Sequence, residues 1–272
     1  MYPALPPPRL QVLIATHRAP GIERVAAMRL PEVEGVHYLV SWQHCMDLPE
    51  PEYFSRRRDI TVHRFFGEGV SANRNNLLEY ATAPFVLIAD DDLIYTREQL
   101  LGALEIMERH PDTDYFSFRY DGADNKTYPE AETSLENLPK GFYQTAFEVG
   151  LNRRGEAREL RFNKFFGPGA PFFTAAEDEI LLYTARRNGL RCRFFPFTVC
   201  THPGLTTGSR REVADGFYRS HGAVIALNNR RTWPLRVALN AWRSGRGRSA
   251  GLMHIWRLMH RGAVKALRAD YI

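Results

Sequence analysis

Three consecutive aspartates, Asp90, Asp91 and Asp92, end the apolar run Phe85–Ala89 in the stretch APFVLIADDDLIYTREQ. Carboxylates held within a few ångströms raise one another's pKa unless a cation neutralises them. Capping the next helix does not require them, because Thr96 and Gln99 in TREQ already form a capping box. A solvated loop is an awkward fit at a strand end buried on both sheet faces. A divalent metal suits the cluster: Mg2+ or Mn2+ takes one or two carboxylates and fills its shell with water and substrate phosphates. A P-loop enzyme's acidic strand end is excluded, since G-x-x-x-x-G-K-[ST] is absent at all four lysines.

Two further features could do chemistry. GPGAPFFTAAEDE sets a Gly/Pro turn ahead of Glu177, Asp178 and Glu179 at a helix start, where acids also stabilise the helix dipole by a few tenths of a kcal/mol each. His202 follows a strand in VCTHPG, and a lone histidine is more often structural than a ligand. A rival reading rests on GEGVSA (67–72), which has the spacing of a dinucleotide fingerprint and leaves an NAD(P)-dependent oxidoreductase as the alternative. Against it, the preceding strand carries His63 and Arg64, a complete βαβ stretch comes first, and no Tyr-x-x-x-Lys pair occurs.

The elements that must position these residues alternate in period. Strand-like segments 10–16, 36–41, 60–66 and 85–89 are interleaved with helical segments 21–30, 71–81 and 97–109, which implies βαβ units and a mostly parallel sheet. Ligands in such sheets bind beyond the carboxyl ends of the strands, where the aspartates stand. After a strand at 114–120 the pattern loosens, resumes as a possible strand 142–150, then a helix 175–189 stopped by Gly189, and a strand 191–199. Residues 203–211 read as a mobile loop, and two or three helices follow, with 244–251 as a hinge.

Composition is that of a globular chain: 44% hydrophobic, 25% charged and 12% aromatic over 272 residues. No apolar run approaches bilayer length, and the Pro-rich start has neither a basic n-region nor a cleavage site. Three cysteines without metal-site spacing favour a reducing, cytoplasmic location. The net charge of +5 is uneven: residues 230–272 hold ten Arg/Lys and one acid, Asp270. The tail mixes Trp, Leu and Met with arginine at helical spacing, as in a helix on an anionic membrane surface; packing on the catalytic domain or on a second subunit is the alternative. No nucleic-acid motif accompanies the charge.

Taken in order, the aspartate cluster, the Gly-rich approach to Glu177–Asp178 and the later His202 resemble the GT-A glycosyltransferases, close to family 2. GVSANRNNLLEYATAPFVLIADDD is similar to that family's Gly-x-x-x-Ala-Arg-Asn segment leading to Asp-x-Asp, with Asn73 at the usual Ala position. The resemblance runs from about Leu10 to Pro203. It implies an α/β, GT-A (Rossmann-like), mostly parallel central sheet flanked by helices, with a C-terminal helical extension. The implied division is a catalytic domain over 1–211, its nucleotide-sugar half about 9–110 and its acceptor half about 111–203, and a basic extension over 212–272.

The resemblance further implies a metal-dependent, inverting transfer from a nucleotide-diphospho-sugar to a hydroxyl on a saccharide or lipid-linked acceptor, in polysaccharide or glycoconjugate assembly. Asp90 and Asp92 are then the Asp-x-Asp, holding Mn2+ or Mg2+ with His202 as a possible third ligand. Asp178 is the catalytic base and Glu177 its neighbour at the acceptor side. Thr16, His17, Arg18, Arg74 and Asn75 serve the donor, with Asp91 between the outer aspartates. Arg210 or Arg211 in the loop could close over the diphosphate. The second strand ends VSWQH where the family carries aspartates, so Trp42 or Gln43 takes their place beside the nucleotide.

Overall fold

The computed structural model describes residues 6–123, 126–139, 141–204, 214–245 and 251–268. In chain order the elements are β1 (Leu10–His17), α1 (Arg18–Ala27), β2 (Val36–Gln43), α2 (Glu52–Ser55), β3 (Ile60–Phe65), α3 (Val70–Tyr80), β4 (Phe85–Ala89), α4 (Arg97–Arg109), β5 (Tyr115–Gly122), β6 (Thr133–Ser134), β7 (Val149–Asn152), α5 (Glu177–Arg187), β8 (Cys192–His202), α6 (Asp215–Asn228), α7 (Trp233–Gly245) and α8 (Leu252–Arg268). The strands form one sheet in the order β3-β2-β1-β4-β7-β5-β8-β6. Its first four strands are parallel, β7 is antiparallel to β4 and β5, and β8 is parallel to β5. This is the α/β, mostly parallel architecture expected from the alternating periods.

Helices cover both faces of the sheet, which is why β4 is continuously apolar and β1 is buried from Leu10 to Thr16. Val12, Ile14, Leu87 and Ala89 pack with Ile22 and Val25 of α1 and Leu100 and Leu104 of α4. Their neighbours Leu13, Val86 and Ile88 face the other way, against Leu77 and Leu78 of α3 and Leu181 and Leu182 of α5. The period-2 alternation of strands thus feeds two cores. β3 is an edge strand, so its polar residues are accommodated: His63 stacks on Tyr80 and Arg64 donates to the Cys45, Met46 and Leu48 carbonyls. Thr96 and Gln99 make the expected capping box at α4.

One element differs. Within 142–150 only Val149 and Gly150 belong to a strand, because Thr145 and Glu148 form a capping box that winds Ala146–Glu148 into a 3-10 turn. Glu148 is buried, paired with Lys126, and accepts from Thr145 Oγ1 at 2.6 Å.

The extension is packed onto the rest of the chain. Ala223, Leu227 and Ala266 share a cluster with Phe166, Phe173 and Ile180. α6 and α8 cross backbone to backbone, since a Cβ on Gly222 would lie 2.0 Å from the Met259 carbonyl oxygen and one on Gly262 1.9 Å from that of Arg219. Among the described residues no helix is long and apolar enough to cross a membrane.

Candidate active site

Thr16 and Asp90–Asp92 are brought together because β1 and β4 are neighbours in parallel register, with Ile14 opposite Ala89. After the aspartates, Ile94 bridges to Thr201 through two 2.9 Å backbone hydrogen bonds. That bridge carries the end of β8 over β4 and sets His202 Nε2 3.7 Å from Asp92 Oδ1. The result is a cleft of about 1340 Å3 at the carboxyl ends of the strands.

Each aspartate has a different environment. Asp90 Oδ1 accepts from Arg74 Nη2 at 2.6 Å. Asp91 accepts from Thr16 Oγ1 at 2.5 Å and from Arg24 Nε and Nη2 at 3.1 and 2.8 Å, which pins α1 to the end of β4. Asp92 is the most open of the three, and its pKa is raised by burial and by Asp90, with His202 opposing.

Arg74 is buried in the second turn of α3 and lies between Asp90 and Glu177 Oε1, the latter at 2.8 Å. Burial opposes its charge, but the two carboxylates outweigh it and its pKa is raised. Glu177, expected at the acceptor side, is therefore tied to Arg74 by a pair spanning 103 residues of sequence.

The GPG turn makes that approach possible. Gly169, at φ +92°, has no room for a side chain, because a Cβ would lie 2.7 Å from the Gly69 Cα. Val70 N–H donates to the Pro168 carbonyl at 3.0 Å, joining the start of α3 to the turn that precedes α5. This contact also tells against the dinucleotide reading of GEGVSA, since the first amide of α3 is already spent on protein and β3 lies at the sheet edge rather than at its centre.

Asp178 faces the cleft one residue beyond Glu177. Burial, then Glu177 and Glu179, push its carboxyl well above the ordinary range, with Arg74 opposing. Glu179 lines the same cleft and is pushed up to about 7 by burial, with Lys126 opposing. Such carboxyls suit proton acceptance near neutral pH.

His17, Arg18, Gln43 and His44 form the rim beside β1 and β2. Arg18 and His44 hold left-handed backbones at φ +59° and +53°, a kind of strain often found at functional sites. Trp42 is not available to stack on a ligand: it is fully buried, and its Nε1–H donates to the Arg18 carbonyl at 2.8 Å, fixing that strained residue. Gln43 does line the cleft, with Nε2 bonded to the Gly67 carbonyl. Asn75 does not, because both ends of its amide bond the Phe162 backbone at 2.8 Å. Arg210 and Arg211 lie outside the described residues.

Several lining residues carried no legible signal. Arg24, His44 and Glu68 gather on the β1–β2 side, and Tyr143 comes from the loosened middle. Phe217 and His221 come from α6, so the extension forms part of the wall.

The profile described as "Glycosyl transferase family 2" matches residues 52–172, the span from α2 to the GPG turn. The chain resembles glycosyltransferase family 2. Its enzyme class, as expected from the sequence, is glycosyltransferase dependent on a nucleotide-sugar. Among solved structures, S. aureus TarS (residues 1–349) in complex with UDP-GlcNAc is similar with a TM-score of 0.56 and 15% identity, over 95% of this chain and 71% of that one. The mannosyltransferase PcManGT from Pyrobaculum calidifontis, in complex with GDP-Man and Mn2+, gives 0.58 and 15%, over 97% and 88%. At these identities the likeness establishes the GT-A fold. No curated protein matches the chain.

Proposed function

We propose that the chain is a metal-dependent inverting glycosyltransferase, moving a sugar from a nucleotide-diphospho-sugar to an acceptor hydroxyl by single displacement. The observation that carries the reading is the meeting of Asp92 and His202 with the raised carboxyl of Asp178 around one cleft.

The donor set suits a hard divalent ion. His202 Nδ1–H donates to the Gly204 carbonyl at 2.6 Å; a carbonyl only accepts, so the proton is placed on Nδ1. In the neutral ring Nε2 then presents a lone pair towards Asp92 Oδ1, and two acceptors 3.7 Å apart favour a cation between them. Among the described residues no group of three His, Cys, Asp or Glu side chains forms a metal cluster. Asp92 and His202 would thus hold the ion with help from diphosphate and water, while Asp90 is already engaged by Arg74. When bound, Mn2+ or Mg2+ supplies Lewis-acid neutralisation of the leaving diphosphate.

The chain's own residues do the rest. The rim formed by His17, Arg18 and Gln43 receives the nucleotide, and Asp91, through Thr16 and Arg24, fixes that rim to β4. Asp178 takes the acceptor proton as its oxygen attacks the anomeric carbon from the side opposite the leaving group, a contribution of roughly 10²- to 10⁴-fold. Arg74 keeps Glu177 turned away from that role.

The test is a thermal-shift titration with a panel of nucleotide-sugars with and without Mn2+, against NADH without metal. A rise in melting temperature with at least one nucleotide-sugar, larger with Mn2+, is expected. A response to NADH alone would overturn the reading in favour of the oxidoreductase.

A further inference from the structure

The outward side of α7 takes no part in the cleft, and we infer that it is a membrane-lying surface whose partner is an anionic lipid bilayer. α7 packs inward through Val237 and Ala241, both fully buried. At 100° per residue, Leu235, Leu239 and Trp242 fall on the opposite side at i, i+4 and i+7, and they are 78%, 45% and 45% exposed. Ala238 lies beside them and is also exposed. The helix is thus apolar on two sides, whereas a helix serving only the protein core needs one. Leu252 and Met253, also exposed, open α8 at the same end, since a Cβ on Gly245 would sit 3.6 Å from that of Leu252.

Charge selects the occupant. Arg236 and Arg243 are exposed along one edge of the stripe, and Arg257, Arg261 and Arg268 are exposed on α8. Residues 230–272 carry ten basic side chains against one acid. A second copy of this chain would bring the same excess of positive charge to the contact, which opposes association. Anionic headgroups complement it, and each arginine near such a surface strengthens binding roughly fivefold. An apolar stripe edged with arginine is the pattern of a helix lying in the headgroup boundary rather than crossing the bilayer.

The surface is coupled to the cleft through rigid packing. α8 is locked against α6 at Gly222 and Gly262, and α6 contributes Phe217 and His221 to the cleft wall. A bilayer under α7 would therefore hold that wall at a fixed height, which suits a lipid-linked acceptor; this consequence rests on the transferase reading, whereas the binding itself does not.

The full chain is tested by flotation with vesicles of phosphatidylcholine alone and of equal parts phosphatidylcholine and phosphatidylglycerol. Flotation with the anionic vesicles only is expected. Leu235→Ser with Leu239→Ser should lower the bound fraction on the order of tenfold, and Arg236→Gln with Arg243→Gln should do the same and flatten the salt dependence. All four side chains are exposed, so circular dichroism should report an unchanged fold. Absence of flotation, equal flotation with both vesicles, or flotation unaltered by the leucine changes overturns the proposal. So does self-association in sedimentation that the leucine changes abolish, which would make the face an interface between copies. None of these readouts depends on donor chemistry.

Discussion

Asp178 and Glu179 are adjacent carboxyls with raised pKa values, and their neighbours separate their roles. Asp178 is pressed by burial and by Glu177, and in the proposed reaction it takes the acceptor proton. Asp178→Asn should lower kcat by about 10²- to 10⁴-fold while leaving donor affinity near that of the wild type, as read by calorimetry. Because the base must be ionised, the rate of the wild type should fall as pH drops, with its acid limb above the ordinary carboxylate range. Glu179 gives a separate test in stability. Its folded-state pKa of about 7 lies above the ordinary 4.5, so the fold favours the protonated form and loses stability as pH rises between those values. Glu179→Gln should therefore raise the melting temperature on the alkaline side of pH 7 and leave it nearly unchanged in acid.

The elements explain how residues far apart in sequence share one cleft. β4 ends in aspartates, β8 is drawn over them by the Ile94–Thr201 bridge, and the GPG turn that precedes α5 is joined to the start of α3. Gly169→Ala should destabilise the chain by about 1–3 kcal/mol and loosen the Arg74–Glu177 pair, measurable as a lower denaturation midpoint. Much of this framework was legible. The run Phe85–Ala89 and the Thr96–Gln99 box fixed β4 and α4 to the residue, because local pattern alone dictates them. The 142–148 segment was not legible, since its apolar residues surround the buried Lys126–Glu148 pair instead of alternating across a sheet. The chemistry-bearing types at 90–92, 178 and 202 were visible, but their partners were not: Asp91 with Thr16 and Arg24, or Glu177 with Arg74, are long-range pairings without any local signature.

At the scale of the whole molecule, the extension is part of the active-site architecture as well as an appendage to it. Its helices share a core with the residues flanking the GPG turn, Phe166 and Phe173, and its Phe217 and His221 line the same cleft as Asp90 and Asp92. The sequence resemblance stopped at Pro203 because nothing in the tail carries a motif; the three-dimensional packing supplies what spacing could not. In the proposed reaction the Asp92–His202 side of the cleft handles the donor diphosphate, and the most direct measurement is donor turnover by Asp92→Asn, with circular dichroism to show that the fold is kept. A loss of at least on the order of 100-fold in turnover with Mn2+ is expected. Turnover at the level of the wild type, with the same metal dependence, would contradict it.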